Sequence, residues 1–194
     1  MEFFQNLDRQ LLQLINLQLS NPFFDVFFPA ITDLHKTDLF RIAFLPLLVF
    51  LWIYLYRLRG LLICVGLAIS LAVTDFLGSL LKHFWSRPRP FDAGFELIQR
   101  SGAGGYSFPS NHAANMFCMA FFLSYHFPKA KFPVFLIAIL VSFSRIYNGV
   151  HYPFDVFGGA VLGSLVGALG GDLFRRLIYL IEDYQDDKRR GKLG

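Results

Sequence analysis

The sequence predicts an all-α protein, a polytopic membrane chain folded as a bundle of six transmembrane helices. Three observations carry that prediction. The 194 residues are 55% hydrophobic and 18% aromatic but only 16% charged, against about 25% charged in an average soluble domain. Apolar segments long enough for a bilayer core, roughly 20 residues each, recur along the chain. The basic residues of the short connections collect on one side when those segments are threaded in order.

The first segment is the least regular. Residues 11–31 are apolar overall, but Asn16, Gln18, Asn21 and Pro22 interrupt them. Two readings fit: one irregular span, or an interfacial amphipathic helix over residues 3–19 followed by a shorter membrane segment. The span is preferred, because six spans place both termini on one side and let the loops sort. Residues 39–56 and 61–81 are plain spans, the second interrupted only by Thr74 and Asp75. Residues 113–127, starting as early as Ser110, form the fourth span and residues 132–146 the fifth. Residues 156–181 form the last, with Gly159, Gly163, Gly167 and Gly171 spaced as a smooth stripe for close helix packing. The predicted organisation is one transmembrane domain over residues 1–181 and a charged cytoplasmic tail over residues 182–194.

One set of loops holds Arg57 and Arg59, then Lys129 and Lys131, then Lys188, Arg189, Arg190 and Lys192 of the tail. This side is expected to be cytoplasmic. The net charge of +4 is explained by that excess, and no nucleic-acid partner is expected. Cys64 and Cys118 lie in apolar stretches without ligand spacing and read as small core residues. No cleavable signal peptide is expected, since Glu2, Asp8 and Arg9 stand where a basic leader should be.

The opposite loops are also basic, and chemistry explains why. Three polar clusters sit at span ends on that non-cytoplasmic face: Lys82 through Arg89 and Pro90; Pro109, Ser110, Asn111 and His112; and Ser144, Arg145, His151 and Asp155. Charges beside a bilayer are costly unless they serve a ligand. Lys82, Arg89 and Arg145 together suit a multivalent anion, and the arginine fork matches phosphate oxygens. Ser110 stands at a helix start, where it is placed to cap the helix and where free backbone N–H groups bind anions. Asp155 follows His151 by four residues. It is placed to hold one imidazole nitrogen while the other attacks phosphorus, with His112 as the acid that protonates the leaving oxygen. No carboxylate cluster suited to Mg²⁺ is evident, so metal-independent chemistry without a cofactor is expected.

These three clusters resemble the signature of the type 2 phosphatidic acid phosphatase superfamily: Lys, six residues, Arg-Pro; Pro-Ser-Gly-His; Ser-Arg, five residues, His, three residues, Asp. Lys82 with Arg89-Pro90 matches the first, and Ser144-Arg145 with His151 and Asp155 the third. The second departs once, with Asn111 where the family usually has Gly. The resemblance implies His151 as the phosphorylated nucleophile, Asp155 as its orienter and His112 as general acid. It implies Lys82, Arg89, Ser110, Asn111 (through its backbone) and Arg145 as phosphate ligands. Ser144 receives no direct role. Arg87 reads equally as a headgroup-facing arginine or a second phosphate contact, and Asp75 as a hydrogen-bonding partner near the site.

The function so implied is hydrolysis of a phosphorylated membrane lipid, with the active site outside the cytoplasm of a bacterial inner membrane. Undecaprenyl diphosphate is the leading substrate. Phosphatidylglycerol phosphate, phosphatidic acid and lipid A 1-phosphate are alternatives. The related vanadium haloperoxidases are soluble and larger, which argues against that chemistry. A non-enzymatic lipid carrier is disfavoured by the intact His112, His151 and Asp155.

Overall fold

The computed structural model describes residues 2–191, all of them helix, turn or loop, with no strand among them. Lys192 and the rest of the tail from residue 192 lie outside the described residues. Six α-helices form among the described residues: α1 (Glu2–Gln13), α2 (Pro22–Asp33), α3 (Leu45–Trp85), α4 (Asn111–His126), α5 (Lys131–Tyr147) and α6 (Pro153–Arg189). Three helical stretches, Leu39–Asp92, Pro128–Tyr147 and Pro153–Arg189, are long and apolar enough to cross a membrane.

The first of these is two arms. Arg57 breaks α3 with φ 53° and ψ −130°, and Gly60 lies against the Trp52 carbonyl. In a straight helix those residues would be about 12 Å apart along the axis, so the chain turns back on itself. The segments over residues 39–56 and 61–81, predicted as separate spans, therefore form the two arms of a helical hairpin.

The 16 residues of α4 lie at the centre, against α3, α5 and α6. The contact with α6 follows from the glycine stripe. A Cβ at Gly159, Gly163 or Gly167 would run into the α4 backbone at Ser110, Ala114 and Cys118 respectively. The opposite face of α6 exposes Phe157, Val161, Leu165, Leu169 and Leu173. The second arm of α3 repeats the design, burying Gly66, Ser70, Thr74 and Gly78 while Val65, Ile69, Val73 and Phe76 face outward. Small residues inside and bulky apolar ones outside are the inverse of a soluble helix and suit packing in lipid. The hydroxyls stay satisfied within the helix: Ser70 Oγ donates to the Gly66 carbonyl and Thr74 Oγ1 to that of Ser70, both at 2.8 Å.

The expected span over residues 11–31 is not a continuous helix. The chain leaves helical geometry after Leu19, and Asn21 starts a new helix by accepting the Phe24 N–H at 3.0 Å. The 12 residues of α2 cover about 18 Å, short of a hydrocarbon core of roughly 30 Å. Polar side chains from the π-helical stretch that follows α1 (Leu14–Gln18) and from α2 reach the loop before α4 and the C-terminal end of α5. Asn16 Nδ2 donates to the carbonyls of Ile98 and Tyr147 at 2.8 and 2.7 Å. Asp25 accepts from Arg100 at 2.8 Å and from the Tyr147 hydroxyl at 2.5 Å. The alternative reading, an amphipathic helix followed by a short segment, describes the region better. The charged segment that begins at residue 182 continues α6 as far as Arg189.

Candidate active site

The last turn of α5 and the first of α6 are joined by a tight connection. Gly149, with φ +72° and no room for a Cβ beside the Ile98 carbonyl, lets the chain reverse there. The N–H groups of Val150 and His151 then return to the Arg145 carbonyl at 3.2 and 3.3 Å. Pro153 opens α6, and Asp155 accepts the Tyr152 N–H at 2.9 Å. The connection thus folds His151 inward, leaving it 2% exposed.

His151 Nδ1 lies 3.6 Å from Asp155 Oδ2, close enough for charge attraction and longer than a full hydrogen bond. Ser107, absent from the predicted set, fills the gap. Its hydroxyl donates to the same carboxylate oxygen and lies 3.5 Å from Nδ1. On the other side, Arg89 Nη1 is 3.3 Å from Nε2. Burial pushes the imidazole down to about 4, against the opposing pull of Asp155. At neutral pH the ring is uncharged, and its geometry suits a proton on Nδ1 and a lone pair on Nε2.

Arg89 and Lys82 are held by carbonyl oxygens. Arg89 donates to Gly104, Gly105 and Val150. Lys82 Nζ donates to the carbonyls of Tyr106 and Pro109 at 2.9 and 2.6 Å. Arg145 Nη1 donates to Thr32 of α2 at 3.0 Å, while its Nε is buried without a partner among the described residues. Ser110 sits at the start of α4 with its N–H on the Asp155 carbonyl at 2.9 Å. It makes no side-chain cap, contrary to expectation. Its Oγ is fully buried and without a partner among the described residues, as is His112 Nε2. The structure thus joins Arg89, Ser110 and Asp155 to His151 and the Arg145 carbonyl. Lys82 secures the loop beside them, and His112 follows Ser110 on the first turn of α4. An unpaired hydroxyl, an unpaired imidazole nitrogen and a half-used guanidinium are an arrangement that fits an oxyanion.

Arg87 has a different task from either one expected. Its guanidinium bridges Asp155 Oδ1 at 2.7 Å and Asp8 Oδ2 at 2.6 Å, and it lies over the Tyr152 ring at 3.9 Å. Asp8 also accepts the Phe154 N–H at 2.9 Å. An α1 carboxylate therefore anchors the carboxylate that faces the histidine. Asn111 turns its side chain toward α3, donating to Asp75 at 3.4 Å, with its Oδ1 over Gly78. Asp75 also accepts from Asn115 at 2.9 Å. Ser107, Asp8 and Thr32 carry no signal in the one-dimensional pattern that ties them to the three motifs.

With this geometry in place, residues 59–177 match the profile of the PAP2 superfamily. The chain belongs to the PAP2 superfamily. It is 33% identical over 182 residues to a lipid A 4'-phosphatase of Bacteroides thetaiotaomicron, covering 87% of this chain and 77% of that one. It is 32% identical to the putative undecaprenyl-diphosphatase YbjG of Escherichia coli, over 68% of this chain and 67% of the relative. The crystal structure of the first transmembrane PAP2 type phosphatidylglycerolphosphate phosphatase from Bacillus subtilis superposes with a TM-score of 0.71 at 28% identity, over 91% of this chain and 88% of that one. The PAP2 chain described here is accordingly an integral membrane protein and a phosphatase. Asp8, Thr32 and His35 lie outside the matched PAP2 domain yet reach its site.

Proposed function

We propose that this protein removes phosphate from a membrane lipid through a phosphohistidine on His151. The observation that carries the reading is the buried, uncharged imidazole with Asp155 and Ser107 at Nδ1 and a guanidinium at Nε2. Nε2 attacks phosphorus as the bond to the lipid oxygen breaks, and His112 gives that oxygen its proton. The imidazolium so formed faces the Asp155 carboxylate. Lys82, Arg89, Arg145, Ser110 and the first N–H groups of α4, including that of Asn111, stabilise charge on the equatorial oxygens. Water then attacks phosphorus, His112 takes its proton, and phosphate leaves with His151 restored. Protein cations meet the phosphate charge, so the reaction is proposed to run without a metal. His151→Ala should lose phosphate release from every lipid phosphate, and an acid-labile phosphoryl adduct should form only on the unmodified chain, in EDTA as in buffer. Release by the folded variant overturns the mechanism.

Two substrates are supported. Undecaprenyl diphosphate, yielding undecaprenyl phosphate, suits the compact chain and the named activity of the Escherichia coli relative. A lipid A-type phosphomonoester is favoured by the Bacteroides similarity, which extends well outside residues 59–177.

For topology we propose five crossings: both arms of α3, then α4, α5 and α6, with α1 and α2 lying on the site face. The support is the polar contact of both short helices with loops at that face. Arg57, Arg59, Lys129 and Lys131 gather at the opposite end, where Arg59 reaches Glu182 at 3.7 Å. That end is proposed to be cytoplasmic and the site to face the periplasm of a bacterial inner membrane. Membrane-impermeant thiol labelling of cysteines placed at residues 5 and 187 tests this. Opposite accessibility is expected, and equal accessibility restores six spans.

A further inference from the structure

Beside His112 lies a cavity of about 600 Å³. Its polar lining is Asp75, Asn111, Asn115, His112, His35 and Thr32; Leu45, Met116, Met119 and Ile137 continue it as an apolar wall. It is amphipathic in the manner of a lipid near its headgroup. Its position follows from the mechanism: His112 is the proposed donor to the leaving oxygen, so what borders His112 borders the leaving alcohol.

The polar wall is rich in acceptors. Both asparagine amides donate to one oxygen, Oδ1 of Asp75, at 3.4 and 2.9 Å. The Asn111 and Asn115 carbonyl oxygens are buried without a partner among the described residues, and Asp75 keeps its second oxygen. Beside them, His35 packs edge-on against His112 with ring centroids 5.3 Å apart, and its neighbour Lys36 is paired with Asp33 at 2.6 Å. A carboxylate with two amide oxygens next to an apolar wall attracts hydrogen-bond donors. It disfavours a second phosphate bonded directly to the leaving oxygen, as in a diphosphate, because like charges interact strongly where water is scarce.

We infer that Asp75 and Asn115, with the Asn111 side chain, form a leaving-group subsite that selects lipids whose alcohol carries hydroxyl or amide N–H donors close to the phosphoester. The inference rests on the phosphatase reading above and deepens its second substrate. A sugar or glycerol alcohol supplies such donors; a polyprenyl phosphate or a diacylglycerol leaving group does not. The Asn111 and Asn115 oxygens are buried while Asp75 itself is exposed, and a site that holds buried acceptors discriminates against an analogue that leaves them unpaired more sharply than an apolar pocket rejects a changed chain.

The test is phosphate release by the full chain in detergent from four lipids, two with donors (a lipid A-type glycolipid phosphate and phosphatidylglycerol phosphate) and two without (phosphatidic acid and undecaprenyl diphosphate). kcat/KM is expected to favour at least one donor-bearing lipid over both others by roughly tenfold, the loss expected when a buried polar group goes unpaired. In Asp75→Ala and, separately, Asn115→Leu, that ratio should fall toward one, with circular dichroism confirming the fold. A wild-type preference for undecaprenyl diphosphate or phosphatidic acid, or a preference that survives both substitutions, overturns the subsite. Phosphate release by His151→Ala would instead overturn the phosphatase mechanism beneath it.

Discussion

At the end that carries His151, side chains from the first 35 residues reach loops far along the chain: Asn16 holds the Ile98 carbonyl 82 positions away, and Asp8 the Phe154 N–H 146 positions away. At the opposite end the contacts are of another kind. Trp52 and Tyr56 lie against Phe127 with centroids 5.1 and 5.7 Å apart, and the half-exposed Arg59 faces Glu182. Between them the α4–α6 contact from Gly159 to Gly167 is backbone and small residues. The difference separates two demands. Helix packing in lipid needs smooth surfaces and tolerates chemical exchange that keeps them smooth. The site needs particular atoms in particular places, and a network of directional bonds supplies that.

Substitutions can break this contrast. The largest effect is expected at Gly163→Leu, where the side chain would meet the Ala114 backbone, which cannot give way as a side chain would. Overpacking of that kind costs about 3 kcal/mol or more, and the yield of monodisperse protein in detergent should drop sharply. Arg87→Gln comes next. It should lower the thermal midpoint, because the buried Asp8 and Asp155 carboxylates lose their shared cation, and lower kcat on the order of a hundredfold, because the imidazole loses its alignment. A kcat within twofold of the parent would show that Ser107 and the Tyr152 N–H suffice to hold Asp155.

A third expectation concerns acid. The folded His151 stays neutral down to about 4, whereas an unperturbed imidazole takes up its proton near 6.5. Between those values the unfolded chain binds more protons at this position, so stability falls as pH falls through the window. Denaturant midpoints measured from pH 6.5 to 4 should decline less in His151→Gln than in the parent. The smallest effect is expected for Arg59→Gln. Exposed pairs of this type contribute under about 1 kcal/mol, so neither stability nor kcat should move appreciably.

Legibility in the sequence divides along the same line. The helices from residue 39 onward announce themselves, because long apolar runs and a glycine every fourth position are local patterns. The three motifs are equally local, and His151, Asp155, Arg89 and Ser110 meet where topology sends them. Asn16 and Asn21 look like blemishes in a membrane span. The first satisfies two distant carbonyls and the second caps α2, and the partners that decide those roles are set by the fold. Arg87 stands two residues before Arg89, and nothing in the spacing tells that one faces Asp8 and the other His151. Ser107 was invisible for the same reason, since its neighbours in space are loop and helix residues more than 40 positions on.

The bridge from Asp8 through Arg87 to Asp155 also has a meaning in time. A ribosome makes Asp8 well over a hundred residues before Asp155. The α1 carboxylate must therefore wait, its bridge incomplete, until the first turn of α6 is threaded beside it. The bridge thus closes only after the helices between them have been made.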